Sequence, residues 1–170
     1  MRRLCRTHDL ILIASIMALA VPALADADFV YSDAATQSCL DDGKGLECVG
    51  QSAEKCMEDT EGGYSTYGMG GCMSLEADFW DSKLNSAYQS LMAQAKEFDA
   101  MAAEDGFTVL SQADTLRDMQ RAWISFRDSR CAYEYSLWGG GTGGGPASIA
   151  CFTQMTAEQA LYLQNGGLGN

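Results

Sequence analysis

Histidine is almost absent from this chain of 170 residues, because it occurs only once, as His8. His8 lies in an N-terminal segment that we expect to be removed on export, so the remaining chain has none. This excludes serine–histidine and cysteine–histidine catalysis and histidine-ligated metals. There is also no Cys-x-x-Cys pair, and the cysteine spacings match no zinc motif. We therefore predict no metal, no cofactor and no enzyme of these classes.

Basic residues are scarce as well. The chain has 11 Lys and Arg against 23 Asp and Glu, a net charge of -12. The first 25 residues carry three arginines and one aspartate, so 8 basic and 22 acidic residues follow them, a net charge of -14. This charge disfavours nucleic acid and anionic lipid, which bind through Lys and Arg. It favours a basic protein partner. The alternative is that the acidic surface only keeps the protein soluble.

A long apolar run is the third missing feature. The longest, residues 10–20, is shorter than the roughly 20 residues of a membrane-spanning helix. It follows three arginines and precedes Ala23-Leu24-Ala25, a small-x-small cleavage pattern. We predict a signal peptide over residues 1–25 and a mature chain that starts at Asp26. The protein would be periplasmic or secreted, without stable membrane insertion.

Cysteine, by contrast, is plentiful. An even number of cysteines in an exported chain indicates a disulfide framework, here with fifteen possible connectivities. Short loops favour local pairs, but only weakly, since the closure cost changes slowly with loop length. On that basis Cys39 would pair with Cys48, and Cys56 with Cys72. The six cysteines that follow the signal peptide are Cys39, Cys48, Cys56, Cys72, Cys131 and Cys151.

The segment 26–71 has little helical periodicity. Aspartates and glycines over 41–45 predict a turn, and the Gly- and Tyr-rich residues 61–71 predict a loop. We expect at most short helices here, for example over 53–59. The segment is therefore predicted to be irregular and stapled by disulfides.

Residues 73–102 predict the first long helix. Thirty residues form a rod of about 45 Å, whose apolar stripe needs a partner helix. Gly106 follows it as a helix terminator. The stripe consists of Met73, Ala77, Trp80, Leu84, Ala87, Tyr88, Leu91, Ala95 and Phe98.

A second helix is predicted over 112–137, after the capping signal Ser111-x-x-Asp114. Arg127 lies within its apolar stripe, and a buried lone charge costs several kcal/mol. We expect a salt bridge to the first helix, with Asp81 as the preferred partner and Glu76 as the other candidate. The stripe consists of Leu116, Met119, Trp123, Phe126, Tyr133 and Leu137.

Seven residues, 139–145, are glycine except for Thr142, and Pro146 follows them. They contain G-x-G-x-x-G, but a helix precedes this run where a nucleotide site needs a strand. We predict a turn and a last helix over 147–164, with a capping signal at Thr156 that indicates a break. This turn brings Cys131 near Cys151. The predicted fold is all-α: a small antiparallel helical domain over 72–165, stapled by disulfides.

The two long helices also carry a distinctive pattern. The first contains Asp81-x-x-Leu84-Asn85-x-x-Tyr88. The second contains Gln120-Arg121-x-Trp123-x-x-Phe126-Arg127-Asp128-x-x-Cys131, and Ser148-x-x-Cys151 follows the turn. Over about residues 72–163 the chain resembles the LprI-like lysozyme-inhibitor family. The resemblance implies an exported helical protein, a disulfide between Cys131 and Cys151, and inhibition of lysozyme rather than catalysis.

Two groups of polar residues are candidates for roles beyond the core. Asp81, Asn85, Gln120 and Arg127 are interpreted as a polar network between the helices, with a binding site as the alternative. Among the apolar motif residues, we expect Trp80, Leu84, Tyr88, Trp123 and Phe126 in the core. The candidate partner-contact residues, on the two glycine-rich loops, are Tyr64, Tyr67, Gly141 and Thr142.

The leading functional hypothesis is a protein-binding inhibitor of a basic, animal-type lysozyme, acting by occlusion of the cleft. An envelope adaptor or structural protein with another partner is the alternative. A glycosidase that uses two carboxylates is a third, weaker hypothesis, because close acid pairs arise by chance in so acidic a chain.

Overall fold

The computed structural model describes residues 29–166, and within them every regular element is a helix. The predicted signal peptide and its cleavage site lie outside this range. The all-α prediction is confirmed. A short 3₁₀ helix, Gly45–Cys48, lies between the first two of five α-helices, whose bounds are α1 Ala34–Asp41, α2 Gln51–Asp59, α3 Thr66–Glu104, α4 Gln112–Ser136 and α5 Gly144–Gln164.

Helix α3 begins seven residues before the predicted start, so the prediction of a loop through residue 71 is wrong for its second half. Ser65 caps the helix, since its side chain accepts a hydrogen bond of 3.0 Å from the Gly68 backbone N–H. A Cβ at Gly68 would collide with the backbone of residues 62 and 63, and one at Gly71 would collide with Phe29. These glycines therefore permit close packing rather than a loop.

Helix α5 also begins earlier than predicted, inside the glycine run, and it continues through Thr156 without a break. Thr156 is fully buried in the middle of the helix. Pro146 falls in the first turn, where a residue without an N–H breaks no helical hydrogen bond. The aromatic rings of Tyr135 and Trp138 lie against Gly144 and Gly143, so side chains cover the end of the glycine turn, while residues 139–142 stay exposed.

The main core lies between α3 and α5. Trp80 and Leu84 of α3 pack against small residues and Leu163 of α5, and Trp80 is fully buried. The small residues, Ala157 and Ala160, let the two helices approach closely. Helix α4 covers one side of this pair.

The predicted apolar stripe of α4 is correct only in its first half. Leu116, Met119 and Trp123 pack on the core, whereas Phe126, Tyr133 and Leu137 are each about 60% exposed. The buried positions of α4 are Ala113, Gln120, Arg127 and Cys131. The disulfide to α5 fixes Cys131 inward, and residues near the opposite side of the helix then face solvent. Phe98 of the first predicted stripe is also exposed.

Three disulfides connect neighbouring elements, two in the pairs that short loops favour and one in the pair that the glycine turn brings together. Cys39–Cys48 joins α1 to the 3₁₀ helix, and Cys56–Cys72 joins α2 to α3. Cys131–Cys151 joins α4 to α5 across the glycine turn. Of the helices within residues 29–166, none combines the length and the hydropathy that crossing a bilayer requires.

Candidate functional site: a cleft and a loop surface

A cleft of about 420 Å³ lies between α3 and α4. The four polar residues predicted to share a network all lie along it, together with apolar and aromatic side chains. We call it the α3–α4 cleft. Its lining consists of Asp81, Leu84, Asn85, Tyr88, Arg117, Gln120, Arg121, Trp123, Ile124 and Arg127. The two helical motifs that carry the family resemblance thus meet at one place.

The hydrogen bonds along the cleft differ from those predicted. Asn85 Nδ2 donates to Asp81 Oδ2 at 2.8 Å, but both residues belong to α3. Gln120 Oε1 accepts from Gln159 Nε2 at 2.9 Å, which joins α4 to α5 and is buried. The four residues therefore surround a cleft without forming one continuous hydrogen-bonded network.

Arg127 does not pair with Asp81, so the predicted salt bridge is wrong; none of the ion pairs within residues 29–166 joins them. Its guanidinium lies over two rings, 3.9 Å from the Phe152 centroid and 4.9 Å from that of Trp123. Its Nη2 lies 2.8 Å from Oδ1 of the adjacent Asp128. Contact with aromatic ring faces stabilises a planar cation without a carboxylate from the facing helix.

Glu76, the other candidate partner of Arg127, is fully buried elsewhere, and sequence reasoning missed its role. Its carboxylate accepts hydrogen bonds from the backbone N–H groups of Gly50 at 2.6 Å and Ala53 at 2.7 Å. The indole N–H of Trp80 donates a third, of 3.1 Å. Glu76 thus caps the N-terminus of α2, where the helix dipole favours a negative charge. A glutamate within an apolar stripe, one turn before a tryptophan, is the only sequence signal of this role.

Residues from the two predicted contact loops border one groove beside the N-terminus of α3. Tyr67 and Thr142 line one shallow groove of about 550 Å³, with Gly145 and Pro146. Tyr64 and Tyr67 are 58% and 65% exposed. Gly141, which precedes Thr142 in sequence, is exposed as well. We call Tyr64, Tyr67, Gly141 and Thr142 the loop surface.

Two contacts hold the tyrosines of the loop surface. The Tyr64 hydroxyl donates to Glu54 at 2.7 Å, and this hydrogen bond raises the pKa of Tyr64. The Tyr67 ring stacks on Phe29 with centroids 5.8 Å apart. Both side chains are thereby oriented while their rings stay accessible, a favourable arrangement for protein contacts.

The comparisons with known proteins give a family. The model of the family "Lysozyme inhibitor LprI" matches residues 56–163. The chain is also 29% identical over 157 residues to an uncharacterized 17.7 kDa protein in the puhA 5' region of Rhodobacter capsulatus, covering 91% of this chain and 94% of that protein. No solved structure is significantly similar to it. The family match covers most of the chain, including both helices of the cleft, and the protein therefore belongs to the LprI lysozyme-inhibitor family.

Proposed function

We propose that this protein is a periplasmic or secreted inhibitor of a basic, animal-type lysozyme, and that it covers the cleft of that enzyme with the loop surface. Membership of a family of lysozyme inhibitors is the observation that carries the proposal. The family description is one of inhibitors rather than enzymes, and the three disulfides suit a protein outside the cytoplasm. Inhibition would be reversible and would involve no covalent chemistry.

The geometry of the loop surface supports its role as the contact. Tyr67, in the first turn of α3, and Thr142, in the glycine turn, are more than 70 residues apart in sequence, yet both border the same groove. Exposed tyrosines supply large contact areas at a low cost in side-chain entropy. The Cys56–Cys72 and Cys131–Cys151 disulfides lie close in sequence to the two loops and restrict them before binding.

Charge supports the choice of a basic partner. The whole chain has a net charge of -12, and Glu54, Glu58, Asp59 and Glu61 lie on or next to α2, just before Tyr64. Electrostatic attraction accelerates association with a basic protein and weakens as salt shortens the Debye length to about 8 Å. Inhibition should therefore require a lower protein concentration at low ionic strength.

The test is lysis of bacterial cell walls by an animal lysozyme, titrated with the purified, oxidised protein at two salt concentrations. An unrelated protein of equal net charge controls for nonspecific binding of acidic proteins to lysozyme. Tyr67→Ala should raise the inhibitory concentration about tenfold or more, the loss typical of a hot-spot tyrosine. Phe107→Ala is the matched control, because Phe107 is 67% exposed and follows the far end of α3.

Two results would count against the proposal. If the charge-matched protein inhibits equally, charge alone explains the effect. If the protein does not inhibit at micromolar concentration, the envelope-adaptor hypothesis replaces the inhibitor hypothesis. Affinity capture from periplasmic extract would then identify the partner. Equal effects of Tyr67→Ala and Phe107→Ala would move the contact away from the loop surface.

A further inference from the structure

The α3–α4 cleft collects arginines on an otherwise acidic protein, although each of them also has an acidic neighbour. Only eight lysines and arginines occur within residues 29–166, against 20 aspartates and glutamates. Three of the eight, Arg117, Arg121 and Arg127, line this one cleft. The overall field of the protein repels anions, so an anion that binds here must be recognised by these local groups.

The guanidinium of Arg127 is fixed in place before any ligand arrives. The rings of Phe152 and Trp123 flank it, and its side chain is only 11% exposed. Nε and Nη2 contact Asp128, whereas no hydrogen bond from Nη1 is present among the described residues. A planar guanidinium that is held against aromatic rings and keeps Nη1 available as a donor suits recognition of a carboxylate.

The other two arginines of the cleft form only weak ion pairs with exposed aspartates. Arg117 contacts Asp114 at 2.7 Å, and both side chains are at least 40% exposed. Arg121 lies 3.9 Å from Asp118, and both are more than 70% exposed. Such exposed pairs contribute little, so either arginine can turn to a ligand at small cost.

The remaining lining determines which anion fits. Trp123 and Ile124 offer an apolar surface above the buried Leu84, and Asp81 with Asn85 offers hydrogen-bond acceptors on the α3 side. Asp81 repels a negative charge, so the anionic group belongs on the α4 side, next to the arginines. At about 420 Å³ the cleft is within the size range of small-molecule sites.

We propose that the α3–α4 cleft binds a small organic carboxylate, with the carboxylate on the arginines of α4, the apolar body against Trp123, and a hydroxyl or N–H donor of the ligand on Asp81 or Asn85. Either an acidic sugar or the carboxyl end of a short peptide has this chemistry. This binding is separate from the loop surface and does not require inhibition of lysozyme.

The experiment is a titration of the oxidised protein followed by NMR, with two matched pairs of probes. Glucuronate and glucose differ in one carboxylate, as do N-acetylphenylalanine and its amide. We expect the acid of at least one pair to shift the signals of Trp123 and Ile124, with its neutral partner binding at least tenfold more weakly. The pair that responds distinguishes a sugar from a peptide ligand.

Substitutions locate the site. Arg121→Gln should weaken binding of the responding acid about tenfold, the factor that one charge-assisted hydrogen bond supplies. Arg130→Gln, which removes an exposed arginine of α4 outside the cleft, should leave binding unchanged, and both variants are surface changes that preserve folding. The proposal is overturned if acid and neutral probes shift the cleft equally, if no probe shifts it in the millimolar range, or if Arg130→Gln weakens binding as much as Arg121→Gln.

Discussion

Replacement of Glu76 is the sharpest test of how the N-terminal part of the fold is attached to the long helices. The carboxylate is fully buried and accepts three hydrogen bonds of 2.6 to 3.1 Å. Two of the donors belong to the first turn of α2 and its cap, while Glu76 itself belongs to α3. The side chain therefore stabilises both the start of α2 and its docking on α3.

The magnitude follows from the bonds that each variant keeps. In Glu76→Gln, the amide oxygen can still accept from Gly50 and Trp80, but the amide nitrogen would face the Ala53 N–H, a donor against a donor. One charge-assisted bond is lost, at about 1.5–3 kcal/mol. Glu76→Ala removes both acceptor oxygens, and with them all three hydrogen bonds, and it leaves a cavity. The free energy of unfolding should fall by about 3–5 kcal/mol.

Urea denaturation with the disulfides intact is the assay, followed by tryptophan fluorescence. At a slope of about 2 kcal/mol/M, a loss of 3 kcal/mol lowers the midpoint by about 1.5 M. Asp78→Asn is the matched control, because Asp78 is an exposed acid two residues away on the same helix. Amide hydrogen exchange at Gly50 and Ala53 should accelerate in the Glu76 variants only.

The expected order of stability is wild type and Asp78→Asn, then Glu76→Gln, then Glu76→Ala. The reasoning is refuted if Glu76→Gln unfolds within about 0.5 kcal/mol of the wild type, the range of ordinary surface substitutions. Equal effects of Asp78→Asn and Glu76→Gln would show that net charge, rather than the buried cap, determines the stability.

Three further predictions concern other contacts. Asp99 accepts hydrogen bonds from the Ser111 hydroxyl and the backbone N–H groups of Gln112 and Ala113, which lower its pKa from the ordinary value of an aspartate. Its contribution to stability is thus present above about pH 4, the unfolded-state pKa, and is lost as the pH falls through the folded-state pKa. Acid denaturation of Asp99→Asn should lack this component, and that of the exposed control Glu97→Gln should retain it. Arg127→Ala should lower the free energy of unfolding by about 1–3 kcal/mol through lost ring stacking, measured by urea denaturation; an unchanged midpoint would show that the stacking in the structure contributes nothing. Gly68→Ala should lower the melting temperature, since its Cβ would collide with the backbone of residues 62 and 63. Gly145→Ala is the control, because a Cβ there has nothing within 4 Å, and it should leave the melting temperature unchanged or raise it. Equal effects of the two substitutions would contradict the close packing at Gly68.

The sequence alone was sufficient for the features that depend on local pattern. Apolar residues at helical spacing in the first long helix predicted that Trp80 and Leu84 are buried, and both are in the core. The Ser111 cap and Gly106 predicted the ends of the connection between α3 and α4, and Ser111 accepts from the Asp114 N–H at 3.1 Å. Short loops favoured Cys39–Cys48 and Cys56–Cys72, and the glycine turn placed Cys131 near Cys151; the structure contains all three pairs. Each of these signals lies within about 20 residues of chain, where spacing and steric preference act directly.

What the sequence could not provide was the direction in which each helix faces its neighbours. Helix α4 has two faces that could turn inward, and the apolar face with Phe126, Tyr133 and Leu137 was the reasonable choice from periodicity. The disulfide at Cys131 and the Gln120–Gln159 hydrogen bond turn the other face toward α5. Arg127 then meets Phe152 instead of Asp81.

The same limit applies to the glycines and to Glu76. A glycine-rich stretch is typical of a loop, but in residues 66–71 it begins α3, because Phe29 and the backbone of residues 62 and 63 leave no room for side chains. Glu76 shows no sign in the sequence that its partners are the N–H groups of residues 50 and 53. Local pattern determines which residues form a helix, whereas the contacts of a buried polar group depend on which elements meet in space. Only the tertiary structure decides that, because it is the docked neighbour that supplies the missing partner or removes the available room.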